Sequence, residues 1–224
     1  MTSTWLTYAP RDFLMFGPDV YWRLFELHNR ALWPLPVLAG VTGLVCLLLL
    51  STRRSLAVRT AVILVAVACL GAAYFCATRY GPINWPANYA AWGFALEAGL
   101  LTVTVSASRL TLPEVISRAT GIAGYGLLAL ALVLYPVVGL AFGRSLAQAE
   151  IIGLAPDPTA IACLGVLSLV ATGGWMRALT VIPLLWCVSS AATLLALGDP
   201  QAWVLIAALI LWASGPVIAL VGRK

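Results

Sequence analysis

Residues 60–78 read TAVILVAVACLGAAYFCAT, nineteen positions without a charged side chain, flanked by Arg59 and Arg79. A helix crossing roughly 30 Å of hydrocarbon needs about 20 mostly apolar residues, and this stretch meets that need. Moving outward, six more stretches have the same character: 31–51, 89–108, 119–142, 158–172, 178–197 and 202–221. The fifth in chain order, 158–172, is the shortest. Over all 224 residues the chain is 62% hydrophobic and 9% charged, with a mean hydropathy of +0.99. A soluble domain is about half apolar and about a quarter charged. The composition therefore excludes a water-soluble globular fold, a disordered tail and a nucleic-acid-binding domain. The pI near 9.2 comes from 13 Lys and Arg against 8 acids dispersed along the chain, which suits basic cytoplasmic loops.

The expected fold is thus an all-α bundle of seven transmembrane helices over 31–224, preceded by a tail, residues 1–30, that carries an amphipathic helix. Short connections, such as Gly173–Arg177 and Gly198–Gln201, make consecutive helices antiparallel neighbours. Arg53, Arg54, Arg59, Arg109, Arg118, Arg177, Arg223 and Lys224 fall on one side of this zigzag. Arg11, Arg23, Arg30, Arg79 and Arg144 fall on the other, so the first set is expected in the cytoplasm. An odd number of crossings then leaves the N-terminus outside and the C-terminus inside a bacterial inner membrane. The opening Met1-Thr-Ser-Thr-Trp-Leu has no basic n-region, so no cleavable leader is expected.

Gly17-Pro18 starts the tail helix, with Asp19 near the positive end of its dipole. Asp19, Arg23, Glu26 and Arg30 share one face, and Tyr21, Leu24, Phe25 and His28 share the other. Asp19 with Arg23 and Glu26 with Arg30 are i,i+4 pairs. Such a helix lies on the outer membrane surface, apolar face down. That buries His28, the only histidine, which then needs a hydrogen-bond partner. It is either a structural donor to a nearby loop or a ligand or relay, for a proton or a porphyrin.

Glu97 is the one acid well inside a stretch. An ionised group at the bilayer centre costs about 2.5–3.5 kcal/mol on insertion scales, so it faces the bundle interior. Tyr89, Gly93, Glu97, Thr104 and Ser108 form a small or polar stripe; Pro183, Trp186, Ser190 and Thr193 form a second. Facing each other, they would line a polar cavity. Glu97 is then either a cation- or proton-coupling group or a protonated acid bonded to a neighbouring helix, with Arg79, Tyr74 or Ser190 as partner. Pro36, Pro136, Pro183 and Pro216 interrupt helices. Gly139 and Gly143 make a small-xxx-small surface for self-association or partner helices. Trp33, Trp85, Trp175 and Trp203 sit where an aromatic belt is expected. In the longest connection, Asp157 ahead of Pro158 has the form of a helix N-cap.

Cys46, Cys69, Cys76, Cys163 and Cys187 all fall in apolar stretches without a CxxC pair, so they read as free packing residues, and no metal site is expected. The only lysine is Lys224, which excludes a retinal Schiff base inside a helix. No phosphate-binding loop, HExxH or nucleophile elbow is present, and no catalytic residue is assigned.

Three segments, Asn29-Arg-Ala-Leu-Trp33-Pro34, Ala155-Pro-Asp-Pro-Thr159 and Ile182-Pro-Leu-Leu-Trp186, resemble an uncharacterised bacterial inner-membrane family known only as a domain of unknown function. The resemblance implies about seven helices and supplies no activity. Two readings follow from the residues. One is a small secondary transporter with Glu97 as coupling group and Tyr89, Thr104, Ser190 and Thr193 around it. The other is a non-catalytic membrane subunit whose helices contact partners or bound pigment.

Overall fold

The structure is a computed structural model, which describes residues 11, 14–107, 110, 116–170 and 173–221, the side chains of 173 and 216–221 excepted. Ser108, Arg109, Arg223 and Lys224 lie outside the described residues, as does the side chain of Pro216. The described chain is helical and contains no strand. Its helices are α1 (Pro18–Ala31), α2 (Leu35–Ser51), α3 (Ser55–Phe75), α4 (Ala87–Ser106), α5 (Arg118–Ala129), α6 (Tyr135–Ala141), α7 (Pro156–Val170), α8 (Gly173–Ala178), α9 (Val181–Leu197) and α10 (Ala202–Val221). A π-helical turn, Cys76–Tyr80, prolongs α3, and another, Leu130–Leu134, joins α5 to α6.

Each of the seven expected stretches holds a helix. By length and composition, however, three segments among the described residues are able to cross a membrane: Ser55–Tyr80, Arg118–Ala141 and Gly174–Leu197. The count rises to four if α1 and α2, bent by 92° at their junction, form one broken span. The seven stretches are thus not matched by seven helices of full spanning length. Helix α7 has 15 residues and reaches only about 22 Å at 1.5 Å per residue. Asn88, Tyr89 and Glu97 dilute the apolar character of α4.

Helix α7 is the axis of the bundle. Every residue of it except Ser168 is buried, and α3, α5, α9 and α10 pack around it. A helix apolar on all sides has no stripe to show in sequence because all its sides are covered. Close approach requires glycine where α5 meets α7: a Cβ on Gly165 would stand 3.0 Å from the Gly124 carbonyl oxygen. A Cβ on Gly71 of α3 would fall 1.8 Å from the carbonyl oxygen of Gly153 in the loop before α7.

Proline acts less often as a kink than its positions in the sequence suggest. Pro36 and Pro183 lie in the first turns of α2 and α9, where their missing N–H is no loss. Pro136 follows the π-helical turn, and a widened turn is one way to absorb a bond that proline cannot make. Gly173–Arg177, expected as a loop, is the short helix α8, and its Trp175 donates Nε1–H to the Thr104 hydroxyl at 3.0 Å. Gly143 lies beyond the end of α6 with φ +76°, and Gly139 is covered by Arg144 of the same chain. The two glycines are therefore not a continuous helical stripe.

Helix α1 starts at Pro18, as its Gly-Pro signal predicts, and crosses one end of the bundle. Tyr21, Phe25 and His28 are buried, as expected, together with Trp22. Phe25 stacks on Phe75 at 4.7 Å, and Tyr21 meets Tyr80 edge-on at 5.7 Å. The apolar face thus rests on protein, on the π-helical turn after α3. Arg23 pairs with Glu26 at 2.7 Å and not with Asp19 as the i,i+4 spacing predicts; Arg30 reaches the same carboxylate at 2.7 Å. These two cations hold the Glu26 carboxyl below its usual range.

Candidate functional site

Among the described residues the best-connected fully buried acid is Asp157, in the first turn of α7. Its side chain is fully buried, and three side chains donate to it. Trp186 gives Nε1–H to Oδ1 at 2.7 Å, while Tyr135 and Ser190 give their hydroxyls to Oδ2 at 2.8 and 2.9 Å. Tyr135 comes from α6 and the other two from α9. This corrects the reading of Asp157 as a helix cap: its oxygens are taken up by other helices. Trp Nε1 only donates, so Oδ1 acts as an acceptor; the two hydroxyls are able to turn and either give or take a proton. The arrangement accommodates a carboxylate and equally a carboxylic acid whose proton sits on Oδ2.

Behind this carboxylate lies a cavity of about 500 Å³ between α4 and α9, lined by Tyr80, Tyr89, Gly93, Phe94, Trp186, Ser190 and Thr193 among others. The two stripes identified in the sequence meet here. Tyr89, Gly93, Trp186, Ser190 and Thr193 are brought together; Glu97 and Thr104 are not among the lining residues. Ser190 and Trp186 face the cavity and hold Asp157 at once, so a single hydroxyl layer separates the buried acid from the opening.

Glu97 is also buried, deep in the bundle beside α7. The Cys163 thiol lies 3.6 Å from its Oε1, and its Oε2 has no hydrogen-bond partner among the described residues. Neither Arg79, Tyr74 nor Ser190, the partners considered from sequence, bonds to it. Thr104 instead donates to the Leu100 carbonyl and accepts from Trp175.

A second polar chain closes the end of the bundle under α1. Trp22 donates to Asp199 at 2.7 Å; Arg144 pairs with Asp199 at 3.1 Å and stacks 3.5 Å over the Trp22 ring. Arg144 also donates to Gln201, whose amide donates in turn to Glu150. Burial, reinforced by the nearby Asp157 charge, pushes the Glu150 carboxyl well above its usual pKa, with Arg144 opposing. Asn29 of α1 ties into the same region through the Ala147 and Ala149 carbonyls.

His28 is buried as expected, but no hydrogen bond to either ring nitrogen is found among the described residues. It packs edge-on against Phe75 at 5.1 Å. Burial and the charge of Arg79 lower its pKa to about 4, so it is neutral at pH 7. Among the described residues no group of three or more His, Cys, Asp or Glu is placed to hold a metal ion. The five cysteines are free and buried.

Sequence reasoning missed Asp157 as a hub, and with it Tyr135, Arg144, Glu150 and Gln201. One signal was available. Two of the three segments that carried the family resemblance contain Asp157 and Trp186, and the structure joins them at 2.7 Å.

A family model described as a family of unknown function, DUF6064, matches residues 18–216. No curated protein and no solved structure matches the chain.

Proposed function

Because the chain belongs to the DUF6064 family, whose function is unknown, we propose its role from the site itself: a small multi-pass membrane transporter that couples a proton or cation to a solute. The observation that carries this reading is the buried Asp157 carboxyl, set one hydroxyl layer behind a cavity of about 500 Å³. Buried ionisable groups in membrane helices are costly and mark ion and proton pathways. Ser190 is the group able to pass a proton between Asp157 and the cavity, with Tyr89 and Thr193 lining the solute side. Glu97, the coupling residue favoured by the sequence, lies outside this cavity and takes second place to Asp157.

Seven crossings, an outer N-terminus and a cytoplasmic C-terminus belong to the same proposal, in a bacterial inner membrane. Support comes from the ends of the bundle. Helix α1, the 142–155 loop and the turn at Asp199 meet at one end through Trp22, Asn29 and Arg144. At the other, Arg59 donates to the Val105 carbonyl at 3.4 Å and Trp175 to Thr104. Contacts divided in this way between two ends are what alternating crossings would give, and they support that reading.

Proteoliposomes holding a pH-sensitive dye test the coupling. With a mixture of small solutes supplied on the acid side, an imposed gradient is expected to move protons through the wild-type protein and through Glu97→Gln, and not through Asp157→Asn or Ser190→Ala. Undiminished flux in Asp157→Asn would overturn the assignment.

One observation favours a second reading, a subunit that contacts partner helices or pigment: Trp92, a turn and a half into α4, is 77% exposed. Purification in mild detergent separates the two, since a subunit brings a stoichiometric partner or a chromophore with it and is silent when reconstituted alone.

A further inference from the structure

A second cavity, of about 540 Å³, runs along the other side of the bundle between α2 and α3. Its walls are aliphatic (Leu35, Leu38, Leu64, Val67 and Leu70 among them), and at one end lies His28. Three buried nitrogens in this neighbourhood, His28 Nδ1 and Nε2 and Arg79 Nε, have no hydrogen-bond partner among the described residues. A buried polar group left without a partner costs about 1–3 kcal/mol, more if charged, so three together call for an explanation. Arg79 does not itself line the cavity; it lies five residues beyond Tyr74, which does line it and whose ring is 6.1 Å from the imidazole, and its charge acts on His28. It belongs to the π-helical turn on which α1 rests, and such turns often occur at functional sites.

We propose that this groove binds one acidic phospholipid of the surrounding bilayer, its phosphate taken by Arg79 and His28 and one acyl chain laid along α2 and α3. The chemistry of the two parts fixes the class. A guanidinium without a counter-ion among the described residues, next to a neutral imidazole with an N–H to give, recognises an anion with acceptor oxygens. The walls are mostly aliphatic and accept an acyl chain; the Thr42 hydroxyl among them is already bound to the Leu38 carbonyl. The bend agrees as well: α1 turns by 92° from α2, so with α2 crossing the bilayer α1 would lie along its surface, His28 at headgroup level and the rest of the groove at acyl level. The inference rests on the chain being embedded in lipid, and not on the transport role of Asp157.

Native mass spectrometry of the purified protein, offered equal amounts of phosphatidylglycerol and phosphatidylcholine, tests it. The wild type is expected to retain one phosphatidylglycerol in preference. Arg79→Gln should lose about fivefold of that preference, the usual weight of one cation near an anionic headgroup. Ala39→Phe, which fills the groove while leaving the head site, should lower retention of both lipids. Equal retention of the two lipids by the wild type, or a preference unchanged in a monodisperse Arg79→Gln, overturns the proposal. So does an Ala39→Phe protein that still binds as the wild type does. Proton flux through Arg79→Gln liposomes stays at the wild-type level in either event, so failure here is distinct from failure of the Asp157 assignment.

Discussion

At Asp157 three donors from two neighbouring helices converge on one carboxylate, and the consequences of changing it follow from hydrogen-bond accounting. In Asp157→Asn the amide oxygen is able to keep the Trp186 bond, and the hydroxyls of Tyr135 and Ser190 turn to accept from the amide nitrogen; the cost is about 1 kcal/mol. Asp157→Leu strands all three donors, at about 1–3 kcal/mol each. Thermal unfolding in detergent should therefore separate the two variants, with the leucine protein melting far below the asparagine one. Equal melting would mean that the network carries no stability. At His28 the sign is set by a folded pKa of about 4 against an ordinary 6.5. The stability that the neutral ring contributes is complete above pH 6.5 and is lost as pH falls through 4. The wild type should lose melting temperature relative to His28→Phe across that window. The difference between the two curves is what reports on His28, since Glu150, with its raised pKa, contributes in the opposite sense. The burial of His28 was legible from helical periodicity, and the role of Asp157 was not. An aspartate in a first turn beside proline carries a cap's local signature, and nothing nearby in the chain announces donors from α6 and α9.

The elements were legible where a local cause makes them. Pro18 opens α1, and Gly198 closes α9 with φ +71°, where the Asp199 and Gly198 amides return to the Leu194 and Leu195 carbonyls. Helix α8 was missed because two glycines read as a turn, while burial of Met176 holds it helical. Glycine within helices divides by what faces it. A methyl group added at Gly40, in α2, would meet nothing within 4 Å, whereas one at Gly71 would meet the Gly153 carbonyl. Gly40→Ala should stabilise the protein by about 0.5–1 kcal/mol. Gly71→Ala must push the 151–155 loop off α3, at a cost of about 3 kcal/mol or more. Melting curves of the pair check both signs.

For the whole molecule the question is how many times the chain crosses the bilayer. Introduced cysteines decide it because the five native ones are buried. Leu146→Cys, in the loop under α1, should react with an impermeant maleimide applied outside intact cells. Arg54→Cys, between α2 and α3, should react only after permeabilisation. Labelling of both from one side would leave an even number of crossings between them and break the seven-span order. That the described chain is helical, apolar and divided into these stretches was determined by the sequence alone. Composition, 3.6-residue periodicity and end signals act within a few residues, so they can be read along the chain. Which acid sits at the hub, which stripe meets which, and where His28 and Arg79 are left without partners among the described residues were decided only by the tertiary structure. The donors to Asp157 lie 22, 29 and 33 positions away, and only the packing of α6, α7 and α9 brings them within bonding distance.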